Sequence, residues 1–285
     1  MFSEQSADVQ ELLVGSFVIF MMLSVGIDLT VEKIRAVFRA PRILLSALGV
    51  NYLLVPALFF GLVELTGLEG MWATGVLFVA VAPGGPVAGV MVQNARGHLA
   101  LGVSLLVLMN LLNTILTPLG IWALGALPTN SGSDTPVLGM VQTILVYQIL
   151  PLVSAMTFRH FWEEHANRLQ PVIEKAAKIL LLVVATAILA SEISNLGNVP
   201  LELVLVVNLA ASASLLVAWL LTPGSREDKI AVTLTTPYRS ISVVLLLLSS
   251  WVHSADAMLA AMTYSGTMLW MCVAASVWLR RGVKD

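Results

Sequence analysis

Residues 233–242 read TLTTPYRSIS, and the residue among them that carries most chemistry is Arg239. It lies about halfway along a largely apolar stretch from about 226 to 253. A charged side chain at bilayer depth costs on the order of 3 kcal/mol or more, so an ionisable residue there marks a functional site by default. From mid-helix, its reach is too short to snorkel to an interface. A guanidinium presents five N–H donors in a fixed fork, suited to free backbone carbonyls or to a bidentate grip on a carboxylate. Thr235, Thr236, Tyr238 and Ser240 add hydroxyls around it, and Pro237 interrupts the helix that carries them. A second interruption, Pro83-Gly84-Gly85-Pro86, lies within WATGVLFVAVAPGGPVAGVMVQNARG. Each proline removes an N–H donor and clashes with the preceding turn.

The elements that hold these residues are membrane spans. The 285 residues are 58% hydrophobic and 11% charged, with mean hydropathy +0.91. A soluble domain would be about a quarter charged. Apolar stretches recur along the whole sequence, which predicts an all-α, polytopic membrane protein. The start, MFSEQSADVQ, is acidic and lacks the basic region of a signal peptide. The single cysteine, Cys272, forms no internal disulfide, and no Cys/His cluster suggests a metal site. No nucleophile–base pair appears, so an enzyme is not expected; nor is a cofactor or a nucleic-acid partner.

We place nine spans, at about 9–29, 42–63, 70–97, 98–124, 137–158, 171–193, 200–221, 226–253 and 257–280. With nine spans, 14 of the 15 Lys and Arg residues fall on one side of the membrane, and the exception is Arg239. The opposite connections hold Glu64, Glu69, Asp134, Glu192, Glu202 and Asp256 without a Lys or Arg. The positive-inside rule then puts the C-terminus in the cytoplasm and the N-terminus outside, in a cell (inner) membrane. Six tryptophans, all but Trp270, sit near span ends, where an interfacial belt is expected.

Spans three and eight carry the interruptions, and each is followed by one uninterrupted span. The layout is that of two repeats, four helices and five, inverted in the membrane. Freed backbone groups at membrane depth are tolerated only where protein or a water-filled cavity satisfies them. Matched interruptions in two halves point to a transporter's binding site.

At this point the chain resembles the bile acid:sodium symporter family. APGGPVAGVMVQNARGHLALGVSLLVLMNLLNTILTPL is similar to that family's segment, which begins PGG-T-A-S-N and continues through A-[KR]-G-[DN]-V-A-L-S to L-T-P-L. MLSVGIDLTVEKIRAVFRAPRILL and NYLLVPALFF are further matches, and TTPYRSISVVLL stands where the family has E-T-G-M-Q-N-S-A-L-A. The resemblance implies two inverted repeats whose broken helices cross at the substrate site, some members lacking the first helix, as here. It implies a panel domain, 9–29 with 137–193, supporting a mobile core domain, 42–124 with 200–280, that exchanges access in an elevator-like or rocking motion.

The departures from the family pattern concern its two sodium sites. Positions that would hold the first sodium carry Ala88, Gly89, Gly102, Leu106 and Thr235; those for the second carry Thr235, Arg239 and Asn51. Nearly all the side-chain oxygens are replaced. Two Na⁺ and one Glu⁻ sum to +1, and so does one arginine in their place. The expectation is a sodium-independent carrier of an organic anion, bearing a carboxylate and possible as an amphipathic, bile-acid-like molecule. Arg239 then replaces the ions, bonding the crossover carbonyls and drawing the anion. Expected lining residues are Arg239, Tyr238, Ser240, Thr235, Thr236, Pro86, Gly89 and Asn51, with Pro83, Gly84, Gly85, Pro86 and Pro237 forming the crossover. Three alternatives stay open: a symporter with a rebuilt sodium site, a carrier like the auxin efflux family, and a non-transporting membrane sensor. Asn110, Asn113 and Thr114 are read as interhelical hydrogen-bonding groups. His98, His160 and His165 are read as solvated side chains in cytoplasmic joints and His253 as solvated at the outer end of span eight. FRHFWEEHANR is read as an amphipathic surface segment.

Overall fold

The computed structural model describes residues 2–28, 38, 40–85, 87–126, 136–191 and 199–281. Among these residues there are eleven helices. In chain order they are α1 (Phe2–Asp28), α2 (Pro41–Thr66), α3 (Gly70–Ala80), α4 (Ala88–Asn94), α5 (Leu99–Ala123), α6 (Pro136–Ile144, continuing to Phe161), α7 (Glu163–Ser191), α8 (Leu201–Leu221), α9 (Arg226–Thr235), α10 (Ile241–Val252) and α11 (Ala255–Arg280). The protein is an all-α, polytopic membrane protein. Five helices, α2, α5, α6, α8 and α11, are long and apolar enough to cross a membrane by length and composition. Large side chains on their outer faces, such as Leu65, Leu201, Trp270 and Trp278, are mostly exposed, as lipid-facing positions are.

Two of these helices are widened by the same device. In α2 the turn Val50–Leu54 is a π-turn, and Pro56 follows it; in α6 the π-turn Leu145–Ile149 is followed by Pro151. A proline ring clashes with the carbonyl four residues before it, and a wider turn relieves the clash. The device also frees a carbonyl. The Val55 N–H bonds to the Val50 carbonyl, so the matching bond to Asn51 would need an N–H on Pro56, which has none.

Two sequence boundaries move. α7 begins at Glu163, eight residues before the expected 171, and Pro171 is accommodated within it. Within FRHFWEEHANR, α6 ends at Phe161, Trp162 turns the chain, and the remaining residues open α7. α1 likewise begins at Phe2 rather than near 9.

The packing separates along two lines. α1 packs along α6 and α7, while α11 packs on α3 and α8, and α8 on α2 and α9. α5 touches α4, α9 and α6, and α10 touches α1. The interrupted pairs α3/α4 and α9/α10 lie in the middle. α3 gives way at Val81 because residues before a proline avoid the helical region, and Pro83 follows. α9 starts on a capping box, with Ser225 accepting from the Asp228 N–H and Asp228 from the Ser225 N–H. It ends at Thr235, with Thr236 as its C-cap immediately before Pro237.

Candidate functional site at the helix crossover

The two interruptions meet. Pro83 and Arg239 form an isolated antiparallel bridge. The Ser240 N–H donates to the Ala82 carbonyl at 2.7 Å, and the Gly84 and Gly85 N–H groups both donate to the Tyr238 carbonyl, at 3.1 and 3.0 Å. Gly84 has φ +102°, a conformation that side chains rarely adopt. A Cβ on Gly85 would lie 2.6 Å from the Arg239 carbonyl oxygen. The glycines thus let two unwound backbones touch inside an apolar bundle.

Carbonyls freed by unwinding find side-chain donors. On α5, Thr117 donates to Val81 at 2.9 Å, Asn113 to Pro83 at 2.5 Å and Asn110 to Gly84 at 2.7 Å. These three residues follow i, i+3, i+7 spacing, one face of a helix. Tyr264 of α11 donates to the Pro237 carbonyl at 2.9 Å. Asn113 is in turn held by the Tyr52 hydroxyl, 2.8 Å from its Oδ1. Neutral side chains therefore do the work that the sequence reading gave to Arg239.

Arg239 is 1% exposed, and it is the only charged side chain among the buried described residues. Its Nη1 donates to the Asn51 carbonyl, the one that Pro56 leaves without a helical donor, at 3.4 Å. The guanidinium carbon stands 6.0 Å from the Phe59 ring centre, and the hydroxyls of Tyr52 and Tyr264 are its polar neighbours. Nε and Nη2 have no hydrogen-bond partner among the described residues. Among the described residues no buried carboxylate compensates this charge.

Successive residues of an extended segment face opposite ways. Arg239 turns towards α2 and α11, whereas Ser240 turns towards α5, with Oγ 3.5 Å from Asn110 Oδ1 and 3.3 Å from Ser242 Oγ. The expected lining residues accordingly divide. Asn51 and Thr236 stand with Arg239 on the α2 side, where Asn51 Nδ2 donates to Thr236 Oγ1 at 3.2 Å. Thr235 bonds back to its own helix, at Ala231 and Val232. Tyr238 is buried, and its hydroxyl has no partner among the described residues. Gly89 lies half-buried in α4, 3.5 Å from a Val103 methyl if given a Cβ. Pro86 lies outside the described residues.

Of the groups read as interhelical, Asn110 and Asn113 bond to the crossover, while the Thr114 hydroxyl is buried without a partner. His98 is exposed but paired, its Nδ1 2.8 Å from Asp228 Oδ1. Its N–H also donates to the Glu227 carbonyl at 3.0 Å, so the joint after α4 is fastened to the start of α9. Burial works to raise the Asp228 carboxyl, but hydrogen bonds from His98 and Ser225 outweigh it and hold the group below the usual carboxylate range.

Comparison with known proteins agrees with this architecture. Residues 16–199 match the model of the Sodium Bile acid symporter family; the second interruption, with Arg239, lies beyond the matched stretch. The chain is 25% identical over 182 residues to the "Uncharacterized sodium-dependent transporter YocS" of Bacillus subtilis, covering 63% of this chain and 55% of that one. It is 25% identical over 156 residues to the "Probable sodium/metabolite cotransporter BASS1, chloroplastic" of Arabidopsis thaliana, covering 55% and 38%. To the "Ileal sodium/bile acid cotransporter" of Oryctolagus cuniculus it is 23% identical over 164 residues, covering 58% and 47%. The chain thus spans about half or less of the length of these relatives. The family is one of transporters, not enzymes. With the family model matched over more than half of its length, this chain belongs to the Sodium Bile acid symporter family.

Proposed function

We propose that this protein is a sodium-independent secondary transporter of an organic anion, in which Arg239 takes the place of the sodium ions at the helix crossover. The observation that carries the proposal is a fully buried guanidinium with no buried carboxylate among the described residues. The crossover carbonyls are already held by Asn110, Asn113, Thr117 and Tyr264, so the charge is not needed as cement. A substrate anion at the crossover supplies the counter-charge. At an effective dielectric of about 20, a unit charge about 8 Å away is worth on the order of 2 kcal/mol.

The donor set at the family's sodium positions is poor in oxygen: Ala88, Gly89, Gly102 and Leu106 offer no side-chain oxygen, and the Thr235 hydroxyl is turned back on its helix. The relatives' names make them sodium-coupled, so the coupling is where this chain parts from them. Names such as the ileal bile acid cotransporter favour an amphipathic carboxylate as substrate.

In this reading α3/α4 and α9/α10 each complete one span, which makes nine. α1, α6 and α7 form the panel and the other helices the moving core, with Tyr238, Ser240, Thr236, Asn51 and Gly89 around the crossover. The N-terminus lies outside the cell membrane and the C-terminus in the cytoplasm. Uptake of a radiolabelled bile acid into proteoliposomes tests the proposal. Equal uptake in sodium and in potassium media is expected; uptake that needs a sodium gradient overturns it.

A further inference from the structure

The α6 side of the crossover carries an amide whose oxygen has no partner among the described residues. Gln148 is fully buried in the π-turn of α6. Its Nε2 lies 3.1 Å from the Asn110 carbonyl oxygen and 3.3 Å from Asn110 Oδ1. Both are acceptors, which fixes the amide's orientation, because only the nitrogen end can donate to them. The oxygen end, Oε1, is then left buried and without a partner among the described residues. An orphaned buried acceptor is costly and asks for a reason.

The amide stands close to the crossover. Asn110 Oδ1 is shared between Gln148 on α6 and Ser240 next to the crossover bridge, and Asn110 Nδ2 holds the Gly84 carbonyl. One turn along α5 from Asn110, the Thr114 hydroxyl is a second buried group without a partner. The turn that carries Gln148 is widened by Pro151, and such π-turns recur at functional sites.

We infer that Gln148 is the panel-side contact for the transported anion, its Oε1 accepting a hydrogen bond from a hydroxyl or N–H on the substrate. The inference rests on the proposed anion site and sharpens it: the substrate carries a donor as well as its negative charge. The free acceptor selects against plain carboxylates, because a site built to bond a hydroxyl is left with an unpaired buried group when an analogue lacks one. The α6 position also makes Gln148 the group through which a bound substrate touches the panel while its charge is drawn to the core.

Binding to the purified protein tests this with two matched pairs of acids, each with and without a hydroxyl: 3-hydroxybutanoate against butanoate, and lithocholate against 5β-cholanate. The wild type binds the more hydroxylated member about tenfold more tightly, and Gln148→Leu removes that preference while still binding both. Equal binding of the members by the wild type overturns the inference but leaves the anion site standing; loss of all anion binding in Arg239→Met with Gln148 intact reports on the anion site alone.

Discussion

Arg239 Nη1 donates to the carbonyl oxygen of Asn51, the one group in α2 that Pro56 deprives of a helical donor. The bond is long, at 3.4 Å, and it is the one hydrogen bond from the guanidinium to a backbone carbonyl among the described residues. Arg239→Met, which keeps volume and removes the charge, is therefore expected to fold with an unchanged or higher melting temperature. Anion affinity falls by about tenfold or more, in line with the loss of roughly 2 kcal/mol of attraction. Thermal unfolding and ligand titration on the same preparation check both parts.

The α5 residues carry the opposite expectation. Asn113→Leu leaves the Pro83 carbonyl buried without its donor, and Thr117→Val does the same at Val81. Each costs about 1–3 kcal/mol of stability, because a buried polar group is left unpaired. Their melting temperatures fall while the charge at the crossover stays.

Gly85→Ala is expected to be far more damaging than an ordinary glycine change. The new Cβ would lie 2.6 Å from the Arg239 carbonyl oxygen, a backbone atom that cannot move aside alone. Gly49→Ala in α2 is the control: nothing lies within 4 Å of its Cβ. That variant is neutral or gains up to about 1 kcal/mol from helix propensity. Comparing the two melting temperatures isolates the bridge.

At the start of α9, Asp228 completes the capping box on Ser225 and holds His98. Its carboxyl titrates below its usual value, so its contribution is present above about pH 4 and is lost as the pH falls through the lower folded-state value. Asp228→Ala removes about 1 kcal/mol of capping at pH 7. The gap between variant and wild type closes as the pH is lowered towards 3, which a series of melting curves shows.

Composition and the two proline interruptions made the helical membrane fold and the place of the crossover readable. The helix-breaking chemistry of Pro83-Gly84-Gly85 and Pro237 is local, and local signals survive in a single sequence. What Arg239 bonds to was not readable, because its neighbours Asn51, Phe59 and Tyr264 lie far away along the chain. The sequence reading gave the free carbonyls to the arginine, although Asn110, Asn113 and Thr117 already stood on one face of span four. Their spacing was the available signal. Gln148 gave a weaker one: a buried amide three residues before a proline, in a helix otherwise apolar there, becomes meaningful only once α6 is seen against α5.

The most direct measurement of sodium independence is anion affinity in NaCl and in KCl at matched ionic strength, with melting temperature followed alongside. The account predicts the same affinity and the same melting temperature in both salts. A sodium-specific rise in either, reproduced in the wild type, would show that sodium binds at a rebuilt site and would contradict the replacement of the ions by Arg239.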